Sequence, residues 1–345
     1  MEINNCTSCG GRVEFSPKDK ALRCVNCASV YPIEYKKNVF KHPVGLNASS
    51  FDMEKWQANN QSYVCKICGA NVVRNKLDIT TKCQYCNTQT LMPIENLPGL
   101  KPDIILPFQI SKEDAKTEFY NRIKKRKFLP LNFKNNLPHA DIGSTYISSF
   151  TFEMLVNATF SGTLRISHTV RDRDGRTRTE YEYRHISGTV KQQFDNLVVE
   201  SSDKISQDEI KEVFPYDFNE SYDYDDDFVK GYNVGYYNQT VEDAEIVAKR
   251  DALKIIENSI RRKYSDPIES LKINPTYFNV NYNYALLPTY FITFNYKNKP
   301  YINVMNGQTG AVGGKVPRSG LQITLFTLFI ILAIGLPILF ILLSN

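Results

Sequence analysis

The cysteines constrain this chain more than any other residue type, because they form two copies of one pattern. The copies comprise Cys6, Cys9, Cys24 and Cys27, and then Cys65, Cys68, Cys83 and Cys86. Each copy has two CxxC pairs separated by 14 residues, and together they use every cysteine of the chain. A CxxC turn places two thiolates side by side, and two such turns complete a tetrahedral four-thiolate site for Zn²⁺. The sequence therefore predicts a duplicated zinc ribbon with two Zn²⁺ per chain.

Three other uses of cysteine fit this pattern less well. Disulfides suit small secreted domains, but residues 1–20 contain Lys18, Asp19 and Lys20 instead of the apolar run of a signal peptide. A thioredoxin-like redox CxxC requires a βαβ setting and does not explain four pairs at matched spacing. Catalytic zinc keeps an open coordination position, whereas each copy here supplies four thiolates. We therefore expect the metal to be structural and to perform no chemistry.

The second informative feature is an uncharged segment from Leu321 to Leu343. A helix of this length is about 35 Å long, which exceeds a hydrocarbon core of about 30 Å. A buried core helix seldom keeps both faces apolar for so long. Lys315 and Arg318 precede the segment, and the positive-inside rule then places the N-terminal bulk in the cytoplasm. The sequence thus predicts a tail-anchored, single-pass protein of the inner cell membrane.

The charge of the chain gives little support to nucleic-acid binding. The formal net charge is +5 with thiols counted as neutral. Eight thiolates and two Zn²⁺ lower this value to about +1 in the metallated protein. A ribbon that binds nucleic acid is expected to keep a basic face, so nucleic acid is an unlikely partner on composition.

The chain divides into five parts on these grounds. We predict a first zinc ribbon at 1–40, a polar linker at 41–62, a second zinc ribbon at 63–95, an α+β cytosolic domain at 103–314 and a transmembrane helix at 321–343. The predicted fold class is therefore two small zinc ribbons, each with four cysteine ligands, followed by an α+β domain and one C-terminal transmembrane helix.

Capping and periodicity locate the elements of the α+β part. One helix is predicted after the N-cap Ser111 and another after Thr240, each with acidic residues in its first turn. A β-hairpin is predicted on either side of Gly175, whose flanking arginines alternate with aspartates as at a solvated tip. Further strands are predicted at 277–286, 289–296 and 300–305. Helices and strands do not alternate regularly, which favours α+β.

Several of these features together resemble a known bacterial family. They are the CxxCG ribbons, the Leu106-Pro107-Phe108 lead-in to a helix, the segment from Leu287 to Phe291, the stretch from Asn306 to Pro317 with its NGQTG turn, and the terminal hydrophobic helix. The chain is similar to tail-anchored zinc-ribbon membrane proteins that carry the label TFIIB-type zinc ribbon or primosomal-protein N′-like. Relatives are encoded beside PspA-type and band-7-type proteins, which implies a scaffold role in the envelope-stress response.

Two function classes follow from these features. No P-loop, nucleophile elbow or pair of metal-ligating histidines is recognisable in the sequence, so we do not expect an enzyme. The favoured interpretation is a non-enzymatic, membrane-anchored adaptor that recruits a cytosolic protein partner, of the PspA or band-7 type according to the resemblance. The alternative is a membrane-tethered nucleic-acid-binding protein that uses its ribbons as replication and transcription ribbons do.

Overall fold

The computed structural model describes most of the chain. The described residues are 5–37, 41–44, 60–75, 83, 85, 88, 91–94, 101–135, 138–173, 175–201, 207–237 and 239–343, without the side chains at 74, 75, 207 and 336–343. Cys86 and most of the predicted linker at 41–62 lie outside the described residues.

The strands of the two ribbons come first in the chain. The first ribbon contains β1 (Val13–Ser16), β2 (Ala21–Cys24) and β3 (Val30–Tyr31), and the second contains β5 (Asn60–Cys65), β6 (Asn71–Asn75) and β7 (Leu91–Ile94). Two short strands, β4 (His42–Pro43) and β8 (Ile104–Ile105), lie between and after them.

The later part of the described chain has long strands and six α-helices. The strands are β9 (Asp141–Arg171), β10 (Thr177–Glu200), β11 (Tyr222–Asp223), β12 (Asn233–Gly235), β13 (Ile268–Tyr296), β14 (Lys299–Asn306) and β15 (Val312–Gly314). The helices are α1 (Lys112–Lys124), α2 (Leu131–Asn135), α3 (Gln207–Val213), α4 (Asp226–Val229), α5 (Val241–Lys263) and α6 (Gly320–Leu343). Ser111 and Thr240 are the N-caps of α1 and α5, as the sequence predicts.

The second ribbon is part of the main sheet. The first ribbon forms a separate three-stranded sheet, whereas β5, β6 and β7 belong to a 12-stranded sheet with the long strands. The connection is β12, which pairs antiparallel with β6 and parallel with β9. Three residues of β12 thus join the backbone of the second ribbon to the centre of the fold.

The fold class that the sequence predicts is therefore wrong in two respects. The described chain is mostly one large β-sheet domain into which the second ribbon is built, rather than two small ribbons followed by a domain. The predicted transmembrane helix at 321–343 is also not supported, because no helix within the described residues has both the length and the apolarity needed to cross a membrane. Side chains of α6 are described only as far as position 335, which corresponds to about 24 Å of helix. The predictions of tail anchoring and of an inner-membrane location depend on this helix, and they are corrected with it.

The outer parts of the long strands, 157–171 of β9, 177–191 of β10 and 268–276 of β13, form an arm, and α5 packs against it. β9 pairs with β10 along one edge and with β13 along the other. Leu164, Phe160 and Val156 of β9 are buried on one face and share a core cluster with Ala248 and Ile256 of α5. The strand alternation therefore gives the arm a buried face under α5 and an opposite face directed to solvent.

The gap at 287–288 between the predicted strands 277–286 and 289–296 is absent. β13 is one strand from Ile268 to Tyr296 with pairing irregularities at 268–270 and 278–281, and Pro288 lies opposite Tyr146 of β9. The carbonyl of Pro288 accepts a hydrogen bond from the N–H of Gly307 at 2.8 Å. Proline lacks an N–H but keeps its carbonyl as an acceptor, and cross-strand pairing has overridden the local break signal at this position.

The NGQTG turn at 306–310 forms hydrogen bonds to the end of α3 and to the segment that follows it. The buried side-chain amide of Asn306 donates to the carbonyls of Val213 and Pro215 at 2.9 and 3.1 Å. Its side-chain oxygen accepts hydrogen bonds from the N–H groups of Gln308 and Thr309. The NGQTG turn is thus a structural turn in which the side chain of Asn306 is hydrogen-bonded within the protein.

Candidate metal centres

The first cysteine set is assembled by two backbone turns. In the first turn, the N–H of Cys6 donates to Gly11 and the N–H of Gly10 donates to Cys6, at 2.7 and 2.8 Å. In the second turn, the N–H of Cys24 donates to Ser29 and the N–H of Ala28 donates to Cys24, at 2.9 and 3.1 Å. Gly10 has a φ of 73°, a left-handed conformation that glycine adopts without steric cost.

The second cysteine set repeats these hydrogen bonds. The N–H of Cys65 donates to Ala70 at 2.9 Å, the N–H of Gly69 donates to Cys65 at 2.8 Å, and the N–H of Cys83 donates to Thr88 at 2.7 Å. Gly69 has a φ of 66°. The sequence repeat therefore encodes a repeated backbone conformation around the thiols.

The thiol groups converge as metal ligands do. The Sγ atoms of Cys6, Cys9, Cys24 and Cys27 lie within 4.8 Å of one another, and so do those of Cys65, Cys68 and Cys83. The shortest described separations are 3.4 Å for Cys6 with Cys27, 3.6 Å for Cys9 with Cys24 and 3.7 Å for Cys68 with Cys83.

These separations discriminate between a disulfide and a metal site. A disulfide requires about 2.05 Å between sulfurs, so none of these pairs is bonded. A tetrahedral metal with bonds of about 2.3 Å separates its sulfurs by about 3.8 Å. Both cysteine groups can therefore hold a metal ion, and the all-thiolate donor set is consistent with zinc.

Hydroxyl groups beside the sulfurs favour the charged thiolates. The hydroxyl of Tyr31 lies 3.1 Å from Cys6 Sγ, and the hydroxyl of Ser29 lies 3.1 Å from Cys27 Sγ. The hydrogen bond to Tyr31 is the main cause that lowers the pKa of Cys6 to about 5, and Ser29 likewise lowers the pKa of Cys27. A thiol must be deprotonated to bind a metal, so these contacts assist metal binding.

These hydroxyl groups were not identified from the sequence, although one signal for them exists. Ser29 and Thr88 occupy the same position in the two copies, and Thr88 Oγ1 lies 3.6 Å from Cys65 Sγ. A hydroxyl residue at a repeated position two residues after the last cysteine of each copy is visible in the sequence. Tyr31 has no counterpart in the second copy, because Thr90 stands at the equivalent position.

The first ribbon packs against the segment around α4. The buried ring of Phe15 lies 5.5 Å from Phe228 and 6.4 Å from Tyr232, measured between ring centroids. The N–H of Phe15 donates to the carbonyl of Lys230 at 2.9 Å. A Cβ atom at Gly231, whose φ is 86°, would lie 2.8 Å from the side chain of Glu14. The close approach of the ribbon therefore requires glycine at this position.

The outer ends of both ribbons remain open to solvent. Cys9 and Cys27 are exposed, whereas Cys6 and Cys24 are buried. Val25 and Ile67, each between the two cysteines of a CxxC pair, are 55% and 66% exposed. Each ribbon thus presents an apolar side chain on a turn that the thiol cluster holds in place.

The comparisons with known proteins add a distant relative. No family model matches the chain, and no solved structure matches it. Over 223 residues, 64% of this chain, it is 27% identical to the uncharacterized protein YdjG of Bacillus subtilis strain 168. The alignment spans 65% of the length of that protein.

Proposed function

We propose that this chain is a non-enzymatic adaptor that holds two structural Zn²⁺ ions and binds a protein partner through its ribbons. The observation that carries the proposal is the exposure of Val25 and Ile67 within the CxxC turns. Large apolar side chains on a rigid turn bury surface on binding with little ordering cost. The family resemblance supports a partner of the PspA or band-7 type.

The zinc part of the proposal relies on the donor set. The first site has four thiolates. The second site has three described thiolates, and Cys86 is its expected fourth ligand. Sites of this composition would leave no open coordination position for substrate. The metal would then stabilise the ribbon, which is too small to bury a sufficient core alone. We expect two Zn²⁺ per chain by mass spectrometry of the native protein and one after Cys24→Ser. A wild-type value near zero would contradict this assignment.

The binding part is tested with purified partners. We expect a PspA-type or band-7-type protein from the same cell to bind the full-length chain, and Ile67→Asp to weaken that binding at least tenfold. Leu131→Asp is the matched control, because Leu131 is equally exposed but lies on α2, outside both ribbons. Equal affinities for the two variants would show that the ribbon does not contact the partner, and an absence of binding to either partner type would refute the adaptor proposal.

A further inference from the structure

The solvent face of the arm has an unusual composition. Register places Tyr183 opposite Arg165, Tyr181 opposite Ser167, and Thr177 opposite Arg171 on this face. Closer to the base, Lys272 lies in the row of Ser161 and Ser187, and Lys191 lies in the row of Asn157 and Thr276. We call this surface the arm face. Its positions are the odd-numbered residues of 157–171 and 177–191 and the even-numbered residues of 270–276, and none of them is Asp or Glu.

The strand alternation separates the charges of the arm. Glu180 and Glu182 lie on the opposite side of the hairpin, opposite His168 and Ile166. Glu180 pairs there with Arg178 at 2.6 Å, and Glu182 pairs with His168 at 3.2 Å. The arm face keeps four cations, Arg165, Arg171, Lys191 and Lys272, and no ion pair involves them within the described part of the chain. The arm face is thus a locally cationic surface.

Two exposed aromatic rings lie among these cations. Tyr181 and Tyr183 are 54% and 57% exposed and are about 7 Å apart along the strand. The guanidinium of Arg165 lies 5.3 Å from the ring centroid of Tyr181. The remaining positions of the arm face are Ser, Thr, Asn and His, which supply hydrogen-bond donors and acceptors.

We propose that the arm face binds single-stranded nucleic acid. The exposed tyrosines offer stacking surfaces for bases, and the interleaved cations offer contacts to the phosphates between them. A duplex would hide the base faces from the tyrosines. An anionic lipid surface would favour apolar side chains for insertion, and the arm face has no Leu, Ile, Val, Phe or Met. This site is independent of the adaptor function proposed for the ribbons.

The arm face has the dimensions of a binding platform. β9 from Asn157 to Arg171 covers about 46 Å at 3.3 Å per residue. The flanking carboxylates are Glu269, at the bulge on the edge of β13, and two residues at the base, Glu153 and Asp195. Glu153 pairs there with Lys41. Glu153 and Asp195 lie at the end of the surface nearest the base, and Glu269 lies on its lateral edge, halfway along β9 from Asn157 to Arg171.

The test measures the binding of a fluorescent 20-nucleotide oligo(dT) to the full-length protein by anisotropy at several salt concentrations. Four phosphate contacts predict that log K falls with log salt with a slope of about −2.8. Arg165→Gln should reduce this slope by about 0.7 and weaken binding. Arg184→Gln is the matched control, because Arg184 lies nearby on β10 and its side chain belongs to the opposite face. The affinity of this variant for oligo(dT) should stay within twofold of wild type.

A second pair of variants tests stacking. Tyr181→Ala and Tyr183→Ala should each weaken binding at least about fivefold, because a stacked base contributes roughly 1–3 kcal/mol. Tyr181→Phe should retain binding, since the ring remains. These side chains are exposed, so thermal melting curves should match wild type. Four results would each overturn the proposal. The protein could fail to bind oligo(dT), or it could bind duplex DNA more tightly. Arg165→Gln and Arg184→Gln could have equal effects, or the protein could bind phosphatidylglycerol vesicles without binding oligo(dT).

Discussion

Phe15→Ala tests whether the first ribbon depends on the rest of the protein. Phe15 is 3% exposed and packs between Phe228 and Tyr232. Replacing a buried phenylalanine by alanine costs about 3–5 kcal/mol, through lost burial and the cavity that remains. We expect the upper part of this range, because the backbone hydrogen bond from Phe15 to Lys230 holds the cavity walls apart.

The contribution of the aromatic contact can be isolated. A double-mutant cycle with Phe15→Ala and Phe228→Ala should give a coupling energy of about 0.5–1.5 kcal/mol beyond simple burial. Urea denaturation followed by intrinsic fluorescence measures both quantities. With a slope of about 2–3 kcal/mol per molar urea, a loss of about 4–5 kcal/mol in Phe15→Ala should lower the midpoint by about 1.3–2.5 M.

The control is Val25→Ala, an exposed position of the same ribbon, which should change the free energy of unfolding by less than about 0.5 kcal/mol. A loss below about 1 kcal/mol for Phe15→Ala, with no measurable coupling to Phe228, would refute the reasoning. It would mean that the first ribbon folds without support from the segment around α4.

Three further predictions concern single residues. Tyr31→Phe should weaken metal binding at the first site by about tenfold, because it removes the hydroxyl beside Cys6 Sγ. Competition with a chromophoric chelator measures the metal affinity, and an unchanged affinity would count against the role of Tyr31. Asn306→Ala should lower the free energy of unfolding by about 3 kcal/mol or more, because the substitution leaves buried carbonyls and N–H groups unpaired. A urea midpoint equal to that of wild type would contradict this prediction. Gly10→Ala should lower the free energy of unfolding by about 1–2 kcal/mol. The φ of 73° is unfavourable for alanine, although no atom lies within 4 Å of the new Cβ. Thermal melting tests this, and a stabilised variant would disprove the strain argument.

Local features were the most predictable from the sequence. The N-caps Ser111 and Thr240 and the hairpin between β9 and β10 follow from short patterns, and the structure contains all three. Each depends on contacts within a few residues or on strict alternation along a strand. The residues that specify these caps and this hairpin can therefore be recognised in the sequence.

The membrane prediction failed for a different reason. It relied on the apolar run at 321–343, whereas the part of α6 whose side chains are described ends at position 335 and is about 24 Å long. No helix within the described part of the chain has the length and apolarity of a membrane span. A single-pass location in the inner membrane is therefore not supported.

The sequence by itself determined the two thiol clusters, because a CxxC turn with a left-handed glycine such as Gly10 or Gly69 is specified within a few residues. Only the tertiary structure decided that the second ribbon joins the main sheet. That junction relies on Asn233–Gly235, three residues whose pairing with β6 and β9 has no local signature. Register likewise placed Tyr181 and Tyr183 on the face of Arg165 and Arg171 and placed Glu180 and Glu182 on the opposite face, because a shift of one residue in strand pairing would exchange the two faces.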